Sequence, residues 1–440
     1  MNNKSIKDII ATFVNQAWRL ISGPLMLLLI PLYLTEEQQG YWYLFGSVAA
    51  LSTFADLGFS NIILQFSAHE YASLKIGNEG LLEGQPENIK KMGSFLRFVI
   101  RWLSTICAIV YPIIFIVGIS FLVRDKVLSI YIFPWIIYSI GSLINFFNNS
   151  VLSFIEGMDQ ISKIQKSRLI VAIINSVVVI SSLLLHLNIF ALALGMILSA
   201  SFMFITIFKT FGKILKQLWM ESTDFIYPWK KEILPLFKKY VLSFASGYFL
   251  FQIYTPLMHY FHGPVYSGKI GISMSLVSAM FSFSTIFVYT ITPRINMLIE
   301  KKDWYELDKL FNKRLLFSAI SYLIIANCFF VFITLFIKIP LINKIVNRFL
   351  PWQGLLILIS AYFIQVFINS WAVYLRGHKI EPYWYTSLAS AIWVFVISII
   401  IGKFLSPDYF FLGLLSSYIW STPWSYIIYK KNKKELHVKN

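Results

Sequence analysis

Long apolar runs, broken at intervals by short polar or basic connections, dominate this chain of 440 residues. A hydrocarbon core of about 30 Å takes about 20 helical residues to cross, so the informative objects are stretches free of Asp, Glu, Lys and Arg. Residues 102–123, 127–155, 240–268, 270–293, 315–337, 349–375, 382–402 and 409–429 each suffice for one crossing. Residues 169–208 form a run of about twice that length, and the polar His186-Leu187-Asn188 at its middle predicts a tight hairpin between two helices. Two more runs open the chain, 9–34 and 41–68, each apolar except for one embedded ion, Arg19 and Asp56 respectively. The pattern predicts an all-α polytopic membrane protein with twelve transmembrane helices, spans 1 to 12 in chain order.

Charge placement supports that reading and gives it a direction. On one side the connections are very short, at 35–39, 124–126, 186–188 and 406–408. The other side holds most of the cations: Lys4, Lys7, the segments 75–101, 163–168, 209–239 and 294–314, then Arg376, Lys379 and the 430–439 tail. The positive-inside rule places that side, and both termini, in the cytoplasm, so the expected location is a bacterial inner (plasma) membrane. Met1–Asp8 is too short for a signal peptide and carries no cleavage site, so span 1 is expected to be an uncleaved anchor. Composition agrees: 57% of residues are hydrophobic and 13% charged, where a soluble domain carries about 25% charged residues. The net charge of 38 − 21 = +17 and pI of 9.6 then need no nucleic-acid partner. Two cysteines, Cys107 and Cys328, lie inside apolar runs and offer neither a disulfide framework nor a metal motif.

The two halves echo each other. Pro31-Leu32, Tyr41 and Gly46 recur as Pro256-Leu257, Tyr266 and Gly271, all displaced by 256 − 31 = 225 positions. Glu156-Gly157 after span 4 corresponds to Arg376-Gly377 after span 10, at 376 − 156 = 220. Span n therefore pairs with span n+6. Six spans per half give the halves one orientation, as pseudo-symmetric six-helix lobes at 1–215 and 216–440 with a cleft at their interface.

Most enzymatic readings fail for want of residues. His69-Glu70 has no second histidine four positions on, no GxSxG elbow occurs, and Gly77-Asn78-Glu79-Gly80 is followed by no Lys-Ser/Thr. No cofactor or metal is expected, and the chain is expected not to be an enzyme. The ions inside the spans carry more information, because a charge in hydrocarbon is a functional hypothesis by default. Arg19 lies ten positions past Ile9, about 15 Å into the bilayer, with Gly23-Pro24 one turn beyond. Two readings stand: a substrate-binding cation facing a cleft, or one half of an ion pair with Asp56 on the antiparallel neighbour. Asp56 is correspondingly a coupling carboxylate or a structural ion-pair partner. Lys269, near the start of span 8 and just after the turn predicted at His262-Gly263-Pro264, is either an interfacial cation or a second substrate ligand, from the other half. Tyr41-Trp42-Tyr43 and Tyr383-Trp384-Tyr385 suit the membrane interface and also sugar stacking.

The run from Pro31-Leu32-Tyr33-Leu34-Thr35 through Gln39-Gly40-Tyr41-Trp42-Tyr43, then Ala55-Asp56-Leu57-Gly58-Phe59-Ser60 and Gln65-Phe66-Ser67-Ala68-His69-Glu70, resembles the O-antigen flippases (Wzx type) of the multidrug/oligosaccharidyl-lipid/polysaccharide (MOP) exporter superfamily. Leu375-Arg376-Gly377-His378-Lys379 with Glu381-Pro382 extends the likeness to the second half. The resemblance implies two lobes in a MATE-like V, moving an undecaprenyl-diphosphate-linked O-antigen or polysaccharide repeat unit to the periplasmic face by alternating access. In the related lipid II flippases, basic residues of helices 1, 2 and 8 line the cavity. Arg19 and Lys269 match helices 1 and 8, whereas helix 2 offers the acidic Asp56 instead.

Physical chemistry points the same way. A diphosphate headgroup with its sugars cannot cross hydrocarbon, while the polyprenyl tail need not leave it, so a polar cleft with a lateral opening is sufficient machinery. Three alternatives remain at this stage: a MATE-like small-solute antiporter, a membrane polysaccharide polymerase, and a component of a polysaccharide-assembly complex. The cations Arg19 and Lys269 disfavour a cationic solute, and the longest external connection, near 338–351, is short for a polymerase.

Overall fold

The computed structural model describes residues 3–77, 80–378, 380 and 382–439, with side chains at all of these except 3–13, 16–17, 19–20, 236, 239–240, 242–243, 293 and 438–439. Lys379 and Glu381 of the resemblance therefore lie outside the described residues. Span 1 is α1 (Asn3–Tyr33), and span 2 is divided among α2 (Glu36–Ala49), α3 (Thr53–Asp56) and α4 (Phe59–Tyr71). A two-stranded antiparallel hairpin, β1 (Lys75–Ile76) and β2 (Leu82–Glu83), follows. Spans 3 to 6 are α5 (Pro86–Arg124), α6 (Leu128–Gly157), α7 (Ile161–Leu184) and α8 (Phe190–Glu221). Spans 7 and 8 are carried by α9 (Trp229–Phe251) and α10 (Tyr254–Tyr289), and a short α11 (Thr292–Glu300) follows. Spans 9 to 12 are α12 (Trp304–Phe336), α14 (Trp352–Gly377), α15 (Trp384–Phe404) and α16 (Leu412–Lys439), with the short α13 (Pro340–Val346) before α14. The fold is thus all-α and polytopic. By length and apolarity alone, 8 helices among the described residues suffice to cross a membrane, or 9 with the bent pair α2–α4 counted as one; α9 to α11 contribute to a single run of 57 residues.

Local chemistry sets the interruptions. The hairpin between α7 and α8 is made by His186 (φ 55°) and Asn188 (φ 52°), both in the left-handed region that short polar side chains tolerate better than most. Within α10 the chain leaves helical geometry at Gly263 (φ 80°, ψ −176°), where Pro264 also removes a backbone donor. This break, between His262 and Pro264, separates spans 7 and 8. Span 2, a single run in the sequence, is instead bent by 44° between α3 and α4. Leu57 (φ 43°) and Gly58 (φ 80°) form the bend.

The chain packs as two compact units, the first comprising Met1–Ser22 with Val48–Ala245 and the second Gly23–Ser47 with Ser246–Asn440. Within the first unit span 4 packs on spans 2, 3 and 6, and span 5 packs on span 6. Within the second unit span 10 packs on spans 8, 9 and 12, and span 11 packs on span 12. These pairings of one unit recur in the other with six added to each span number, but the maps are not identical: span 3 also packs on span 6 in the first unit, and span 8 on span 11 in the second. The echoed glycines occupy matching places in the shared pairings. A Cβ on Gly157, at the end of span 4, would stand 2.6 Å from Ser67 Cβ on span 2. A Cβ on Gly377, at the end of span 10, would stand 3.1 Å from Asn296 Oδ1 on α11, just past span 8.

Candidate functional site

Both helices of the first hairpin pass from one unit to the other. In α1 the change falls between Ser22 and Gly23, immediately before Pro24, and in α2 it falls between Ser47 and Val48, two residues before a 3-10 turn at Ala50–Ser52. Glycine, proline and a tightened turn are where a helix bends at least cost. The middle of the hairpin, residues 23–47, is clasped inside the second unit. Gln39, 1% exposed, donates from Nε2 to the carbonyl oxygens of Gly268 (2.9 Å) and Arg348 (3.2 Å). Arg348 in turn donates to the Leu34 carbonyl at 2.9 Å, and Lys344 to that of Leu32 at 3.3 Å. Burial pulls the Arg348 guanidinium below its ordinary pKa, against the opposing pull of the Glu36 carboxylate.

Small residues let the backbones meet in this clasp. A Cβ on Gly268 would lie 2.9 Å from the Gly40 nitrogen, and one on Gly40 would overlap the Pro264 carbonyl. Gly271 similarly accepts the Tyr43 ring against its Cα. Tyr41 packs its edge on the buried His259 at 5.2 Å, and Tyr248 donates to the Ser47 carbonyl at 3.3 Å. The echoed positions 41 and 46 thus lie on the hairpin docked beside their counterparts' own helix. Gln39 and Arg348 were not singled out from sequence. The signal was present as an uncharged amide beside a glycine and as an Arg between the apolar Val346 and Phe349.

Asp56 sits at the bend of span 2. Its carboxylate accepts from the Gly58 nitrogen (3.1 Å), the Ser60 nitrogen (3.0 Å) and the Ser60 hydroxyl (2.5 Å), so it satisfies the first orphan donors of α4. The physical reason for the break is this local competition, in which a short acidic side chain and a glycine close an alternative to the helical ladder. Arg19 lies on α1 in the first unit, and its side chain falls outside the described residues; so, with it, does the expected pairing to Asp56. One turn earlier, Asn15 is 2% exposed and donates to Gln165 Oε1 at 2.8 Å, joining spans 1 and 5. Lys269 lies in the second unit, half-buried, with Nζ 5.6 Å from the centre of the Tyr266 ring. Arg294, at the end of span 8, is exposed. Among the described residues, no three His, Cys, Asp or Glu side chains group as metal ligands.

No family profile matches the chain, and no curated protein matches it. Solved structures do. The chain is similar to the inward-facing conformation of a multidrug resistance MATE family transporter of the MOP superfamily, with a TM-score of 0.58 at 11% identity, over 98% of each chain. It is also similar to an outward-facing conformation of such a transporter, with a TM-score of 0.56 at 13% identity, over 98% of this chain and 96% of that one. A mutant of the Vibrio cholerae MATE transporter VcmN gives 0.56 at 13% identity, over 99% and 98%. The likeness covers essentially the whole molecule, and at these identities it is one of architecture: the chain has the fold of the MATE transporters of the MOP superfamily.

Proposed function

We propose that this chain is a flippase that carries an undecaprenyl-diphosphate-linked oligosaccharide from the cytoplasmic to the periplasmic face of a bacterial inner membrane by alternating access. The observation that carries the transport reading is the passage of spans 1 and 2 from one compact unit to the other at Gly23-Pro24 and near Val48. Two compact units joined through helices that carry bend-prone residues suit an alternating carrier. Similarity in fold to both inward-facing and outward-facing transporters supports the same reading. The substrate class rests on the resemblance of residues 31–70 and 375–382 to O-antigen flippases and on the embedded cations Arg19 and Lys269. Cations offset the desolvation of a diphosphate. An inside-negative potential favours outward movement of an anion by about 2.3 kcal/mol per charge per 100 mV, so the loaded step needs no nucleotide. Resetting of the empty carrier draws on the membrane potential or on an ion taken up at Asp56.

A second reading, a small-solute antiporter, is favoured by the multidrug resistance transporters that share the fold. The deciding experiment is the sidedness of the lipid-linked oligosaccharide in cells lacking the chain, read by lectin access in intact spheroplasts and in inverted vesicles. Accumulation on the cytoplasmic face, reversed by the chain, is the expected result. Normal arrival at the outer face, with loss of dye efflux, would replace the flippase by the antiporter. Normal arrival with failed polymerisation would point to an assembly component.

A further inference from the structure

The first unit contains a pocket of about 470 Å³ between α5, α6 and α8, apart from Asp56, Lys269 and the clasp. Its volume lies in the range of about 300–1,000 Å³ typical of built ligand sites. Leu96 and Ile100 of α5, Val151 of α6, and Phe204, Phe208 and Leu215 of α8 supply apolar walls. Phe204 and Phe208 are half exposed, with ring centres 4.7 Å apart and planes tilted by 53°, so the pocket opens outward between apolar rings. From Phe204 to Trp219 it follows α8 for 15 residues, about 22 Å of helix. The apolar run of span 6 ends at Phe208, so the groove begins at the end of the hydrocarbon core and continues along α8 into the basic interface.

The two ends differ chemically. The inner end holds one buried polar side chain, Asn148, 1% exposed, whose amide donates to the Ala200 carbonyl at 2.8 Å and whose Oδ1 has no partner among the described residues. A sugar or a charged guest would find a single acceptor in hydrocarbon there. The other end holds the exposed cation Lys216, which makes no ion pair among the described residues, and Trp219. Arg97 fixes that tryptophan, with its guanidinium 4.8 Å from the ring centre and hydrogen bonds to the Trp219 carbonyl and to Thr223 Oγ1 (2.9 Å). This is the basic end of the chain, where Lys209 and Lys213 are also exposed on α8.

We propose that the groove is a specific lipid site, holding one acyl chain of an anionic glycerophospholipid of the leaflet at the basic end, with its phosphate at Lys216. Charge complementarity chooses the occupant: an apolar slot that leaves the hydrocarbon at Phe204 and Phe208 ends on a tryptophan collar and a cation with no ion-pair partner among the described residues, which fits a tail bearing an anionic headgroup. The site stands whichever substrate the chain carries.

Gly212 provides the means of testing it. It lines the groove, and a Cβ placed there meets nothing within 4 Å, so a larger side chain projects into the slot without striking the packed core. The full-length protein would be titrated with phosphatidylglycerol and with phosphatidylcholine in mild detergent and read by native mass spectrometry. The expected result is one retained phosphatidylglycerol per chain, with weaker retention of phosphatidylcholine. Gly212→Phe should abolish retention of both, and Lys216→Glu should weaken phosphatidylglycerol alone, by about tenfold. Melting curves of both variants report folding, and Lys216→Glu, on an exposed position, tests the headgroup contact independently of the slot. Unchanged retention in folded Gly212→Phe, or equal retention of the two lipids by the unaltered chain, overturns the proposal. Displacement of phosphatidylglycerol by undecaprenyl phosphate at equal or lower concentration also overturns it, assigning the groove to the polyprenyl carrier instead.

Discussion

The two units share most of a neighbour map yet close it by different means. In the first, α5 and α8 meet backbone to backbone: a Cβ on the buried Gly93 would overlap the Leu218 carbonyl. In the second, the corresponding α12 and α16 are joined through long side chains. Lys433 pairs with Asp308 at 2.7 Å, and His437 stacks on Trp304 at 4.5 Å with the planes 15° apart. Tyr374 of α14 completes that joint, donating to Asp308 at 3.0 Å and meeting His437 Nε2 at 3.0 Å. The ion pairs diverge as well. Glu156 binds Arg168 at 2.9 Å in the first unit, whereas Arg376 stands at the echoed position in the second. The repeat therefore preserves most of the helix pairings, because burial of apolar faces fixes them, while the polar closures are free to differ. One consequence is that the first unit is closed by packing reinforced by Arg97, which stays charged at physiological pH, and the second by a histidine-containing joint.

The largest expected effect tests whether the units contribute equally to the proposed substrate site. Arg19→Ala and Lys269→Ala should each abolish export in cells, while Arg19→Lys retains part of it, since charge matters more than the bidentate fork. Lectin labelling of surface polysaccharide, with protein levels measured in parallel, reports the outcome. Full export in Lys269→Ala would confine the substrate cation to the first unit.

Next in size is the packed closure. Gly93→Leu should cost about 3 kcal/mol or more, because backbone rather than a flexible side chain stands in the way. Gly212→Ala on α8, with open space around its Cβ, should instead be neutral or stabilise by up to about 1 kcal/mol. Melting of the two variants in detergent decides it, and equal losses would remove the distinction between the sites. Smaller again is the exchange of polar closures. Glu156→Arg, which gives the first unit the second's residue, sets two cations together at the end of α6 and should cost about 2 kcal/mol. Adding Arg168→Glu should recover most of that loss; failure to recover would show that the pair is not what closes this end.

Much of this was legible in the sequence, because apolar run length and cation placement follow directly from the thickness and polarity of a membrane. The all-α polytopic fold, the hairpin at His186-Asn188 and the break at Gly263-Pro264 all came from composition and turn chemistry. The bend of span 2 did not. Its cause is a side chain competing with its own backbone at Asp56, and an embedded carboxylate suggests an ionic partner before it suggests a cap. The clasp by Gln39 and Arg348 was hidden for another reason: its acceptors are the backbone carbonyls of Leu34 and Gly268, and backbone carbonyls carry no sequence signature.

The titratable joint of the second unit offers the finest test of the comparison. Burial holds His437 below its ordinary pKa, Lys433 adding to that and Asp308 opposing it. Burial also lowers His378, which lies 5.9 Å from Trp304, with His437 adding to that shift and Asp308 again opposing. A base whose folded pKa is lowered binds fewer protons folded than released. The joint is therefore at full strength above the ordinary histidine value of about 6.5 and weakens as pH falls through it toward the folded values. Hydrogen exchange in the last turns of α16, corrected for the intrinsic effect of pH, should accordingly rise between pH 7.5 and 5.5. Exchange where α8 packs on Gly93 should not, since glycine and carbonyl groups do not titrate there. His437→Gln should remove most of the pH dependence while keeping a polar group near Tyr374. If both closures loosened alike on acidification, or if His437→Gln still responded in full, the contrast between a packed and a titratable unit would fail.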